Sequence, residues 1–241
     1  MRIPRIQGLI RRRILVNYRV APEMMQAQLP ARFLPKLHNG FAIAGICLIR
    51  LEQIRPHGMP AVLGIGSENA AHRVAVEWKD EEGQTREGVY IPRRDTNSRL
   101  NQLAGGRVFP GEHHVAKFEV KDDGEVIEFA MHSQDGEAAV ELAGRTGAPL
   151  PDGSVFKTLT EASEFFRAGS LGYSATANGG QLDGLRLETK TWQVKPLEIE
   201  RVHSSWFADI KKFPKGSAEF DCALIMRDVE HEWHSAPCLC L

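Results

Sequence analysis

The chain has 241 residues, of which 42% are apolar and 25% charged, with a formal net charge of −1. A chain of that size buries a sizeable core, and all-β barrels and sandwiches of this length form single units, so residues 1–241 read as one domain. A charge so near zero gives no global field for nucleic acid or anionic lipid, and neither is expected as a partner.

Short alternating runs dominate the chain. Pro22 at a first-turn position, with Glu23 beside the positive helix end, opens a short helix that Pro30 closes. His72, Val74, Val76 and Trp78 alternate with Arg73, Ala75 and Glu77, the period of a half-buried strand. Asp80-Glu81-Glu82-Gly83 turns the chain, and an extended pattern resumes at Gly88–Ile91. Asp95 or Thr96 caps a second helix through Leu103-Ala104, stopped by Gly105-Gly106. Ala116, Phe118 and Val120 form one face of a strand, and Ile127, Phe129 and Met131 one face of the next. Asp122-Asp123-Gly124 between them is a strong hairpin signal, because the turn needs positive φ and the flanking alternation sets the register. Glu141–Ser154, rich in Gly and Pro, reads as a loop. Thr158 with Glu161 has the spacing of a capping box for a third helix, ending near Gly169. Leu185 to Gln193 and Phe220 to Met226 give two later strands. No strand alternates with a long helix, so the sheet is expected to be antiparallel and largely sequential, in an α+β chain that is mainly β.

No run of about 18 apolar residues exists to span a membrane, and no apolar stretch follows Met1-Arg2-Ile3-Pro4-Arg5 to make a secretory signal. Cys47, Cys222, Cys238 and Cys240 do not form a disulfide framework in so long a chain. Free thiols in a reducing cytoplasm are expected. Phosphate-loop, nucleophile-elbow and zinc-protease motifs are absent. Gly64-Ile65-Gly66 is half of a dinucleotide fingerprint and reads as a turn, so no cofactor is expected. His231, His234, Cys238 and Cys240 lie within ten residues, but the Cys-x-Cys spacing is tight and Pro237 stiffens it; no metal site is assigned.

The richer constellation lies in the middle. Glu68, His72 and Arg73 open one strand, while Tyr90, Arg93, Arg94, Asp95, Asn97 and Arg99 follow the next. If those strands pair, carboxylate, guanidinium and amide groups meet at one rim or cavity. Arginine suits a carboxylate or phosphate there, since its planar fork binds two oxygens at once. The same charges can instead pair among themselves as a structural network, and the residues leave both readings open.

Three stretches resemble the acetoacetate decarboxylase-like superfamily. Arg11-Arg12-Arg13-Ile14-Leu15-Val16-Asn17-Tyr18-Arg19-Val20, followed by Pro22 to Pro30, looks like that family's opening, and Arg11 falls at the spacing of its active-site arginine. Gly88-Val89-Tyr90-Ile91-Pro92-Arg93-Arg94-Asp95 sits where the family has a strand and a Gly-Arg-Glu. Thr160 to Tyr173 is similar to a helix and turn in uncharacterised members. The resemblance implies a curved antiparallel sheet closing into a barrel-like cone with external helices and an internal cavity, and a homo-oligomer. The family's decarboxylase carries a Pro-Lys-Lys shortly after its Gly-Arg-Glu, one lysine forming a Schiff base. Arg94–Ala104 contains no lysine. Arg99 cannot replace one, because a guanidinium stays protonated at physiological pH.

Two functions follow. The first is a cytoplasmic protein that binds or acts on a small anionic molecule of keto-acid type, without Schiff-base chemistry. Arg11, Arg93 and Arg99 hold the anion, Glu68 and Asp95 act on or orient it, and Tyr90 and Asn97 donate hydrogen bonds. The alternative is a non-catalytic structural or interaction protein whose arginines form internal ion pairs. A binding cavity is concave and partly unpaired, whereas a structural network is fully satisfied.

Overall fold

A computed structural model describes residues 5–104, 110–176 and 180–240. The strands are β1 (Ile6–Val20), β2 (Leu34–Pro35), β3 (Leu37–His38), β4 (Phe41–Pro56), β5 (Ile65–Lys79), β6 (Thr85–Thr96), β7 (His113–Asp122), β8 (Val126–Ser133), β9 (Ala139–Thr146), β10 (Leu171–Ala175), β11 (Gln181–Thr189), β12 (Lys195–Ser204) and β13 (Ala218–Cys240). The helices are α1 (Pro22–Gln26), α2 (Arg99–Ala104) and α3 (Leu159–Ala168).

The pairings close on themselves twice. β13, β1, β4, β5 and β6 lie side by side and are shared. β10 and β11 bridge β6 to the C-terminal half of β13, completing one ring. β7, β8, β9 and β12 bridge β6 to the N-terminal half of β13, completing a second. Closure removes the unpaired edges that an open sheet would expose. It is imperfect: β10 meets β6 over two residue pairs, and β12 meets β13 over two. Gly88 is required at the first of these joints, since a Cβ there would stand 2.4 Å from the Leu171 carbonyl oxygen of the approaching β10.

The curved, mainly antiparallel sheet is therefore present, and both turn-signalled hairpins form, β5–β6 around Asp80–Gly83 and β7–β8 around Asp122–Gly124. The sheet is less sequential than its hairpins imply. β6 pairs in parallel with both β10 and β7; for β7 the reason is that the chain leaves β6 through α2 and returns beside it rather than turning back. β9 runs into the first part of Glu141–Ser154, and its Val140 and Leu142 point into the core despite the Gly and Pro that follow. β11 stops at Thr189, short of Gln193. β6 runs through Asp95 and Thr96, which pair with β5, so the helix cap falls to Ser98, whose hydroxyl accepts from the Asn101 N–H at 3.2 Å. The predicted Gly105-Gly106 stop lies outside the described residues. Thr158 caps α3 by accepting from the Glu161 N–H at 3.1 Å, and the Glu161 carboxylate returns to the Lys157 N–H at 2.7 Å.

The main core joins one face of the shared strands to β8 and β9 of the second ring, and includes Ile14, Val16, Val74, Tyr90, Phe129, Met131 and Leu142. On the opposite face of β1, β4 and β5 a second cluster joins Leu15, Ile43, Cys47 and Ala75 to Phe156 and Phe166. α3 is thus not simply external: its aromatic face packs against the interior of the first ring. No helix of the described residues is long and apolar enough to cross a membrane.

Candidate functional site

Strand parity decides which charges meet. On β5, His72 and Val74 face the main core while Arg73 and Ala75 face the first ring. The β5–β6 register slips between His72↔Arg93 and Val74↔Tyr90, an extra residue on β6. That bulge puts Tyr90, Arg93 and Asp95 on the core side, and Val89, Ile91 and Arg94 on the ring side. Arg12 and Arg13 divide in the same way on β1.

On the core side the charges are paired. Arg12, 4% exposed, donates to Glu68 at 2.7 Å and to Asp122 at 3.3 Å, and Arg227 also donates to Asp122 at 2.7 Å. Burial raises the Glu68 carboxyl pKa even against the pull of Arg12. The Asn97 side-chain oxygen accepts from the Glu68 backbone N–H at 3.0 Å, fixing the turn after β6. Arg93 forks onto the fully buried Asp95 at 2.8–3.1 Å and reaches Asp135 at 2.9 Å, where His114 and Ser133 also converge. Burial pushes the Asp95 pKa up, whereas hydrogen bonds from Ser133, the Glu137 N–H and Arg93 overcome burial to hold Asp135 down. Tyr90 packs beside Phe33 in an aromatic cluster. Arg11 is on the outer surface, paired with Glu52 at 3.0 Å and Asp228 at 2.6 Å. Arg99 is exposed on α2. The seven residues expected to share a site are therefore dispersed among two ion-pair networks, an aromatic cluster, a turn and the solvent-facing surface; Arg12 keeps one buried nitrogen, Nε, without a partner.

The ring side is different. A cavity of about 140 Å³ lies inside the first ring, walled by apolar groups such as Leu15, Ile49, Val89, Phe166, Leu187 and Trp233. Three guanidinium groups enter it from three strands: Arg13 of β1, Arg73 of β5 and Arg94 of β6. Arg13 Nε donates to the Cys47 Sγ at 3.2 Å, and its buried Nη1 has no partner. Arg73, 5% exposed, donates to the Asn17 side-chain oxygen and lies 4.9 Å from the centre of the Phe166 ring, leaving Nε without a partner. Arg94 donates to the Ser174 hydroxyl at 3.2 Å, and its Nε is buried without a partner. Among the described residues no carboxylate bonds to any of the three. Burial pushes the pKa of Arg73 and of Arg94 down to about 10, so both remain cations at neutral pH. The cavity's own acid–base pair, Lys36 with Glu87, is self-neutralising, the amine resting 4.6 Å from the centre of the Phe165 ring. Arg94, Leu185 and Trp233 also border an adjoining space of about 70 Å³ containing His113. Burial, then Arg94, holds the His113 pKa down to about 3.

Arg13 did not stand out in the sequence, because it sits in a run of three arginines, whereas Arg73 was singled out beside Glu68 and His72 but given no site role. Pro92 is the signal for Arg94: a proline inside a strand marks a bulge, and this one puts Arg94 on the same side as Val89 and Ile91. At the C-terminus, His231 is buried beside Trp233, while His234 is near Glu188 and Glu232. Among the described residues no group of three His, Cys, Asp or Glu side chains has the geometry to hold a metal, and none of the four cysteines is in a disulfide.

The DUF2071 family model, described as an uncharacterized conserved protein, matches residues 9–229. The chain belongs to the DUF2071 family. No curated protein matches its sequence. Its fold is that of acetoacetate decarboxylase-like proteins. An acetoacetate decarboxylase from Legionella pneumophila superposes with a TM-score of 0.61 at 13% identity, covering 98% of this chain and 88% of that one. An acetoacetate decarboxylase-like enzyme from Sphingomonas wittichii RW1 gives 0.62 at 13% identity, covering 100% and 94%. The enduracididine biosynthesis enzyme MppR, bound to the condensation product of pyruvate and imidazole 4-carboxaldehyde, gives 0.64 at 9% identity, covering 100% and 90%. At these identities the likeness is one of fold.

Proposed function

We propose that this DUF2071 protein binds a small carboxylate of keto-acid type inside the first ring, without lysine amine catalysis. The observation that carries the reading is the set Arg13, Arg73 and Arg94, three guanidinium groups that line one largely apolar cavity with no carboxylate bonded to any of them among the described residues. Buried charges are normally paired, and an unpaired one at a cavity wall is a binding function waiting for its anion. A cavity near 150 Å³ holds a molecule about the size of benzene, roughly six heavy atoms, which suits a short keto acid. Support also comes from MppR, which has been captured with pyruvate. The arginines expected to hold the anion are replaced by three others, and Glu68 and Asp95 become framework carboxylates. The side chains that could act on a bound molecule are Cys47 in the cavity wall and His113 in the adjoining space. The ion-paired alternative describes Arg11, Arg12 and Arg93 well. It does not describe the cavity.

A thermal-shift screen tests the reading. A keto acid at about 100 times its dissociation constant adds about 2.7 kcal/mol, a rise of about 5–10 °C in Tm for a chain of this size. Arg73→Gln is expected to remove that rise. If no small carboxylate shifts the wild-type protein, the cavity is not an anion site.

Chemistry through an amine has its own test. Among the described residues Lys36 is the lysine that borders the cavity, and its amine is occupied by Glu87. Borohydride reduction in the presence of pyruvate or acetoacetate is expected to leave every lysine unmodified. A mass increase confined to Lys36 would overturn this.

A further inference from the structure

The charge inside the first ring exceeds what one carboxylate neutralises. Arg13, Arg73 and Arg94 are three cations, and the Lys36–Glu87 pair adds nothing net. The three come from three strands of one wall, and Arg73 of β5 reaches back toward β1, where it donates to Asn17. Between β1, which carries Arg13, and β6, which carries Arg94, stand β4 and β5. Neighbouring strands are about 4.8 Å apart, so along the curved wall the two backbones are separated by about 14 Å. Between these arginines the wall is formed by Ile49, Ala71 and Cys47, whose thiol is taken up by Arg13. Arg94 stands where the larger space meets the smaller one, with the Ser174 hydroxyl as its neighbour. Cationic ends joined by an apolar wall are complementary to a short chain with an anion at each end.

We propose that the ligand of this cavity is a small dicarboxylate, one carboxylate held by Arg13 and Arg73 and the other by Arg94. This rests on the anion-site reading above and narrows its substrate class. A monocarboxylate satisfies one planar fork and leaves a buried cation unpaired at the far end. An inorganic phosphate dianion concentrates its charge at one point and cannot serve both ends. The apolar wall gives such an ion nothing to pack against.

Matched pairs of probes isolate the second charge: malonate against propionate and succinate against butyrate, each pair differing by a terminal carboxylate in place of a methyl. With ionic strength held constant by sodium chloride, calorimetric titration of the wild-type protein is expected to give each diacid an affinity about tenfold or more above its monoacid. Arg94→Gln is expected to bring the ratio for succinate and butyrate to within about twofold, and Arg13→Gln to reduce it as well; circular dichroism shows whether each variant is folded. The wild-type ratios decide the matter by themselves should either variant fail to fold. Equal affinities within both pairs overturn the dicarboxylate assignment while leaving the anion site standing. Inorganic phosphate binding more tightly than both diacids also overturns it. Binding by none of the probes overturns the assignment and the anion-site reading together.

Discussion

Replacing Arg93 and Arg94 one at a time with Met is expected to move stability in opposite directions, although the two residues are adjacent. Arg93→Met strips the fully buried Asp95 of its bidentate partner and removes a bond to Asp135. Breaking one side of a buried ion pair costs about 3–5 kcal/mol, because a carboxylate is left in the interior or must take up a proton. For a chain of this length that is a fall of about 6–20 °C in Tm. Arg94→Met instead removes a buried cation that no carboxylate compensates and loses one hydrogen bond, to Ser174, whose hydroxyl can rotate. Substituting a buried charge by an apolar group of similar length is neutral or stabilising by about 1 kcal/mol or more. Its penalty falls on function, since the rise in Tm on adding a small carboxylate is expected to disappear. Arg93→Met keeps that rise, measured from its lower baseline. Urea denaturation with and without succinate reads both quantities. A stability loss of similar size in the two variants would show that Arg94 belongs to the framework after all.

This contrast marks how far the sequence could be read. Period-two alternation revealed the half-buried strands, and two Asp/Gly turns revealed the hairpins, because both signals are local. The resemblance of the opening segment and of Gly88–Asp95 supplied the curved closed sheet, which no local pattern contains. Against the proposed anion site the residues chosen from the sequence miss by one position at Arg93, beside Arg94, and by two at Arg11, on the same strand as Arg13. Such an error is natural in a strand, where a shift of one position exchanges the two faces. Around Arg94 the face is set by a bulge on β6, and on β1 the pairing with β4 is irregular between Ile10 and Arg12. Arg73 was visible as a basic residue on a half-buried strand, but only the path of β10, β11 and α3 makes its face the inside of a cavity. Those three elements are distant in sequence and follow a loop whose composition says nothing of where they dock.

Acidification is expected to unfold the protein near pH 4, driven by histidines rather than by carboxylates alone. Three imidazoles are buried in neutral form. Burial, then Arg93 and Lys212, pushes the His72 pKa down to about 3. His113 is held at about 3 by burial and Arg94, and His231 at about 4 by burial and Arg13. An unfolded imidazole titrates near 6.5, so each folded-state value lies below its unfolded value. Above pH 6.5 both states are neutral and stability does not depend on pH. Below it the unfolded chain binds protons that the folded chain refuses, and stability falls until the folded values near 3–4 are reached. Each such histidine contributes about 1.4 kcal/mol per pH unit, so three give about 4 kcal/mol per unit between pH 6 and 4. Glu68 and Asp95, whose values are raised by burial, act with the opposite sign in that window and offset part of the slope. A loss of several kcal/mol over two pH units is comparable with the whole stability of a typical domain, about 5–15 kcal/mol. Urea midpoints measured at pH 7, 6, 5 and 4 are expected to be level at first and then to drop steeply. His72 has no hydrogen-bond partner on either ring nitrogen and sits beside Trp206, so His72→Leu exchanges it for an apolar group without stranding a partner. That variant is expected to lose about one third of the slope and to unfold at lower pH than the wild type. A wild-type slope close to zero between pH 6 and 4, or one unchanged by His72→Leu, would show that the imidazole is charged or solvated in the folded protein.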